Sequence, residues 1–309
     1  MTVVTGLDAV EPAPSVVSIG FFDGVHRGHQ SIVRRAGRQA QKWGHRAVVV
    51  TFDRHPMEVV RPGSQPKLLM TLARRARTLA EQGVDIVVVL PFDDELRHLP
   101  PADFVHHVLL GPLRAAGVVV GANFRFSHKA KGDVRMLSEL GEIHGFATEG
   151  VTLLEDDGTV ISSTAIRTLI ERGEVDRAAL LLGRPHVLDG VVVRGDRRGA
   201  GLGFPTANLQ VDQRIAIPAP GVYATTLTHP DGRVFRAATS VGTNPTFGGQ
   251  ELRVEAYCLD VDEDLYGVEA ALAFHERVRG EERFESVDDL VAQMHRDVTD
   301  VRESLDKRI

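Results

Sequence analysis

Apolar and polar positions fall into two different rhythms along the chain. In the first half, residues 16–19, 47–52, 86–90 and 117–120 are short apolar runs rich in β-branched side chains. Such runs suit strands covered on both faces. Between the first two, Ile32, Val33, Ala36, Ala40 and Trp43 recur at helical spacing, and residues 71–82 and 101–110 are amphipathic in the same way. Strands alternating with helices predict a doubly wound α/β layer with a parallel sheet, whose ligands gather at the C-terminal ends of the strands.

Residues 160–167 open a helix predicted to run to about Arg172, and a second helix is predicted from about Glu174 to Leu182. Gly183-Arg184-Pro185 then stops the helix, and two domains follow from it, 1–184 and 185–309. Beyond this point the rhythm shortens. Residues 186–194, 221–227, 234–240, 252–260 and 268–278 are β-rich runs separated by turn residues, and His229-Pro230-Asp231-Gly232 is a hairpin signal. Repeated short strands predict a small antiparallel β-barrel. Val287, Leu290, Val291, Met294 and Val298 then mark a closing amphipathic helix.

Composition narrows the function. The chain has 309 residues, a net charge of −6 and one cysteine, Cys258. An intrachain disulfide and a cysteine zinc cage are excluded, and the absence of a basic run argues against obligate nucleic-acid binding. Residues 1–15 lack the pattern of a secretory signal, and no apolar run approaches the roughly 18 residues of a membrane span. A soluble, cytoplasmic protein is expected.

The candidate chemistry lies at the predicted strand ends. Gly20-Phe21-Phe22-Asp23-Gly24-Val25-His26-Arg27-Gly28-His29-Gln30 joins the first strand to the first helix. Such a turn leaves backbone N–H groups free at a helix start, where an anion is favoured. His26 and His29 can point at the same phosphoryl oxygens, with Gly28 letting a phosphate approach the backbone. No Lys-Ser/Thr follows, which disfavours a P-loop. The loop 121–133 mixes Asn123, Phe124 and Phe126 with cations; the aromatics read either as core anchors or as a platform for a flat heteroaromatic ring. Ser162, Ser163 and Thr164 read as a helix cap or, with Arg167, as a second phosphate clamp. In the second half, Gly195, Gly199, Gly201 and Gly203 mark bulges or a ligand loop. Thr206 and Asn208, two apart on an extended chain, offer neutral oxygens to Mg²⁺. Glu255 reads as a solvated strand residue or a general base.

His26-Arg27-Gly28-His29 resembles the HxGH signature of nucleotidylyltransferases. Together with TFDRHP, GANFRFSHKAKGD, ISSTAIR, GLGFPTANL, PGVYAT, SVGTNPTFGG, VEAYCLD, DLYG and RGEERF, in this order, the sequence resembles the bifunctional bacterial riboflavin kinase/FAD synthetase family. The resemblance implies a Rossmann-like N-terminal FMN adenylyltransferase and a C-terminal riboflavin kinase on a six-stranded Greek-key-type barrel. It implies ATP as co-substrate, Mg²⁺, and riboflavin, FMN and FAD as ligands, with no nucleic-acid or membrane partner and a monomer or weak homo-oligomer. It also implies roles. Gly20, Phe22, Asp23, Gly24, His26 and His29 would bind ATP phosphates, with Ser162, Ser163, Thr164 and Arg167 as the clamp. His26, His29 and Arg167 would be catalytic in adenylyl transfer, and Asn123 and Phe126 would contact flavin. Gly199, Gly201 and Gly203 would form the kinase phosphate loop, Thr206 and Asn208 would hold Mg²⁺ and phosphate, and Glu255 would be the kinase base. Arg54, Ser127 and Tyr257 depart from the family's usual residues; glycine is usual at 127.

Overall fold

The structure, a computed structural model, describes residues 2–195, 200–246 and 249–307. They pack as two compact units: Met1–Pro66 with Thr71–Ser162, and Lys67–Met70 with Ser163–Ile309.

The first unit runs β1 (Thr2–Thr5), β2 (Ser15–Ile19), α1 (Arg27–Trp43), β3 (Arg46–Phe52), the short α2 (Pro56–Val60), α3 (Leu72–Ala80) and β4 (Ile86–Leu90). It continues with α4 (Asp94–His98), α5 (Pro101–Phe104) extended by a π-helical segment (Val105–Leu110), and β5 (Ala115–Gly121). Then come β6 (Arg125–Phe126), β7 (Gly132–Asp133), α6 (Val134–His144), β8 (Ala147–Val151) and the small pair β9 (Glu155–Asp156) and β10 (Thr159–Val160). Six strands form one sheet in the order β1-β4-β3-β2-β5-β8, parallel throughout. All five residues of β2 are buried, its two small serines included, which explains why its sequence does not alternate between apolar and exposed polar positions. Because β2 lies between β3 and β5, the chain winds away from it in both directions. Its C-terminal end is therefore the topological switch point, where such sheets open a crevice. The predicted layer is borne out. The edge strands β1 and β8 escaped the sequence pattern because they are only partly covered and mix in Thr, Glu and Gly.

The second unit holds α7 (Ser163–Glu171), α8 (Val175–Leu182), β11 (His186–Val193), β12 (Ala207–Val211), β13 (Gly221–Thr228), β14 (Val234–Thr246), β15 (Gly249–Cys258), β16 (Glu269–Arg279) and α9 (Val287–Asp306). The six strands close into an antiparallel barrel, β11-β12-β15-β14-β13-β16. β12 was read only as an extended stretch carrying chemistry; it is the strand that completes the barrel. The hairpin at 229–232 joins β13 and β14, with Thr228 opposite Val234 and Gly232 at φ 92°. Leu188, Leu209, Tyr223, Val241, Val254 and Phe274 belong to the barrel core. The segment Lys67–Met70 packs into this unit: Leu68 bridges Ile215, donating its N–H to Arg214 O and accepting from Ala216 N, both at 2.7 Å.

Candidate active sites

At the end of β2 the backbone bends sharply. Phe22 (φ 56°), Gly24 (φ 79°) and Val25 (φ 40°) are all left-handed. Two buried non-glycine residues in that region mark a strained turn, which surrounding contacts must hold. Thr51 Oγ1 donates to Phe21 O at 3.0 Å, and Gln30 Nε2 donates to Val25 O at 2.9 Å. A side chain at Gly20 would meet the Phe22 ring at 3.0 Å.

The turn delivers the two histidines as a stacked pair, ring centres 3.6 Å apart and planes within 22°. His26 is the N-cap of α1, its Nδ1 accepting from the His29 backbone N–H at 3.4 Å. His29 stands edge-on to Phe22 at 5.2 Å, and its Nδ1 is buried with no hydrogen-bond partner. Burial, and then the neighbouring His26 imidazole, hold His29 well below the ordinary value of 6.5, so its ring is neutral at physiological pH. An orphaned imidazole nitrogen at a helix start is a polar group left for a ligand. Gly28 is needed for the packing of the turn itself. A Cβ there would come within 3.1 Å of His26 Nδ1 and Cε1, so glycine makes room for the folded-over ring. The Ile161 carbonyl lies beside it, placing the segment that leads into Ser162 next to the histidine turn.

Sequence reasoning missed Arg75. It is 2 % exposed, lies 4.1 Å over the Phe21 ring and donates to Phe52 O at the end of β3. Burial brings its guanidinium down to about 10, partly offset by Asp23 and Asp53. Its signal was present: Leu72, Arg75, Ala76 and Leu79 form one helical stripe, so the arginine interrupts an apolar face. Burial also works against the charge on Asp53, but Arg54 and the Phe92 N–H outweigh it and hold the carboxyl below its usual range.

Phe21 also lines a cavity of about 670 Å³, with Phe52, Phe92, Phe104, Phe124 and Phe126. Phe124 and Phe126 stack at 5.7 Å and 12°; both pack on the core, as the anchor reading expects, and both also line the cavity. Asn123 sits instead on the exposed turn after β5, its Oδ1 against Gly121.

In the second unit, Ser163, Thr164 and Arg167 occupy the first turns of α7, with Arg167 Nη2 donating to Thr164 Oγ1 at 3.3 Å. On the barrel, Asn208 of β12 pairs in register with Glu255 of β15, which pairs in turn with Ser240 of β14. Opposed residues share a sheet face. Their neighbours Ala207, Leu209, Val254 and Ala256 belong to the core, so Asn208, Glu255 and Ser240 make a polar row on the barrel's outer wall. Thr206 immediately precedes β12, and Asn208 Nδ2 reaches its carbonyl at 3.5 Å. A Cβ at Gly195 would lie 2.3 Å from Asn208 Nδ2, so the chain after β11 passes directly over the amide. Gly203 has φ 88° and Gly201 lies in an exposed 3-10 turn; Gly199 lies outside the described residues.

Two adjacent family models match this order of sites: FAD synthetase over residues 8–165 and riboflavin kinase over 182–305. The bifunctional riboflavin kinase/FMN adenylyltransferase of Escherichia coli K12 is 34 % identical over 306 residues, covering 98 % of this chain and 97 % of that protein. The chain belongs to this family. The Listeria monocytogenes member is 37 % identical over 291 residues, covering 93 % of this chain and 91 % of its own. A Streptococcus pneumoniae crystal structure described as a macrolide-efflux protein superposes with TM-score 0.90 at 33 % identity, over 98 % of this chain and 99 % of that one. Efflux is not carried over, because both halves of the present chain match flavin-enzyme families. Among the described residues no helix is long and apolar enough to cross a membrane.

Proposed function

We propose that the chain makes FAD from riboflavin in two ATP-dependent steps, with residues 1–184 as the FMN adenylyltransferase and 185–309 as the riboflavin kinase. The observation that carries this reading is the presence of two chemically different sites on the two matched segments. One is a stacked histidine pair at a strained helix start, with an unpartnered His29 nitrogen, beside an aromatic cavity. The other is a carboxylate aligned with an amide on a barrel wall.

In adenylyl transfer the FMN phosphate attacks the α-phosphorus of ATP and pyrophosphate leaves, so no protein nucleophile is required. The protein aligns two polyanions and neutralises charge on the leaving group. His26 and His29, at the start of α1, receive the ATP phosphates on the turn built by Gly20, Phe22, Asp23 and Gly24. Ser162, Ser163, Thr164 and Arg167 form the second clamp, and Arg167 supplies a fixed charge. The cavity takes the flavin ring against Phe126, with Asn123 at the adjoining turn. In the kinase step the riboflavin 5′-hydroxyl attacks the γ-phosphorus, the bond from that phosphorus to the β,γ-bridging oxygen breaks and ADP leaves, while Glu255 accepts the hydroxyl proton.

Thr206 and Asn208 fit a Mg²⁺ that arrives with ATP. They offer neutral oxygens, and such ions complete their shell with phosphates and water. Among the described residues no group of three or more His, Cys, Asp or Glu could form a protein-only cage. Bound there, the ion would offset charge on the ATP phosphates; Gly201 and Gly203, with Gly199 in the same stretch of sequence, belong to the proposed phosphate loop. A cytoplasmic enzyme accords with the lone cysteine, which leaves no intrachain disulfide to form, and a monomer or weak homo-oligomer is part of the same reading.

The test is chromatographic product analysis with ATP and Mg²⁺, supplying riboflavin and FMN separately. Riboflavin is expected to give FMN and then FAD, and FMN to give FAD; neither product appearing would end the proposal.

A further inference from the structure

Among the residues of the loop bordering the aromatic cavity that the reactions above do not use, Ser127 stands apart. Ser127 follows β6 and lines the cavity. Its backbone has φ 66° and ψ −174°, a region all but reserved for glycine. The surroundings impose this conformation. Phe126 pairs with Gly132 across the β6–β7 ladder, and the His128 N–H donates to Leu99 O at 3.1 Å. The His128 ring stacks on His98 at 5.0 Å, and the Ala130 N–H returns to Ser127 O at 3.0 Å. The side chain adds a second cost, because Ser127 Oγ is buried and has no hydrogen-bond partner. Glycine at this position would remove both costs. Strain of this kind collects at ligand clamps, and an unpaired buried hydroxyl calls for an acceptor.

We propose that Ser127 is a specificity residue of the adenylyltransferase pocket. Its hydroxyl turns about the Cα–Cβ bond into the cavity and donates to a carbonyl oxygen on the polar edge of the flavin ring. The ring edge is favoured over the phosphate by the company Ser127 keeps. Phe104, Phe124 and Phe126 beside it form an apolar slot for a flat ring, whereas phosphate is drawn to the histidine turn. A slot lined by aromatics discriminates poorly unless a few placed polar groups read the ring's edge. The inference rests on the reading of this cavity as the FMN pocket.

Two substitutions in the full chain separate hydroxyl from strain. Ser127→Ala removes the hydroxyl and keeps the Cβ; Ser127→Gly removes both. In FAD formation from FMN, both are expected to raise the KM for FMN about three- to tenfold, the yield of one neutral hydrogen bond. The KM for ATP stays in place. Ser127→Gly should also melt a few degrees higher than Ser127→Ala. Riboflavin phosphorylation, assayed alongside, reports that each variant is folded. A wild-type KM for FMN in either variant overturns the proposal, because each lacks the hydroxyl. A wild-type chain that makes no FAD from FMN overturns the reading of the pocket instead, before any variant is compared.

Discussion

At the scale of single residues, the histidine pair shows how burial selects chemistry. His26 is committed to capping α1, so its stacked partner is the ring with a nitrogen to spare. Replacing His29 by Ala is expected to lower FAD formation about a hundredfold or more, the usual loss when a donor to a developing anion is removed. FMN formation should be untouched; equal loss of both products would contradict separate sites. The depressed His29 value also sets a pH dependence. Near pH 6.5 the unfolded chain takes up a proton at His29 that the folded chain refuses. This contribution to stability is therefore present above about pH 6.5 and is lost as the pH falls below it. Thermal melts between pH 7 and 5.5 should show a falling midpoint, and His29→Gln should flatten the slope. Glu255→Gln should abolish most FMN formation; retention of the wild-type rate would remove Glu255 from the role of base.

Elements show what the chain's patterning could and could not reveal. Strands β2 to β5 were legible because burial on both faces writes a run dominated by apolar, mostly β-branched residues, with only small polar ones such as Ser18 and Thr51 among them. Edge strands β1 and β8 leave no such record. The HxGH turn was legible as a motif, but its strain was not, since nothing in Phe22 or Val25 as residue types announces a left-handed backbone. Arg75 is the instructive miss: one cation in an apolar stripe of α3 turns out to underlie the Phe21 wall. Arg75→Met is expected to lower kcat/KM for FAD formation about tenfold, with partial rescue by Arg75→Lys, through loss of the cation over the ring and of the donor to Phe52 O. On the barrel, pairing between distant strands sets Asn208 beside Glu255, a register that local sequence cannot encode. The same register gives a steric test. Gly195→Ala places a Cβ 2.3 Å from Asn208 Nδ2, so the amide must shift. Riboflavin phosphorylation should fall, while conversion of supplied FMN to FAD continues.

For the whole molecule, the two activities meet through a common intermediate, FMN, which one site makes and the other consumes. A mixture of His29→Ala and Glu255→Gln chains should therefore convert riboflavin to FAD although neither chain does so alone. Absence of FAD from the mixture, with each variant retaining its other activity, would show that FMN does not pass freely between molecules. The segment Lys67–Met70 carries a further consequence. A stretch lying between two parts of the first unit supplies the strand bridge and paired hydrogen bonds at Ile215 of the second. One cut in the gene cannot give both modules complete: a barrel expressed from the downstream half lacks its Leu68 tether. Shuffling either catalyst into another protein would call for an exchange at more than one crossover point.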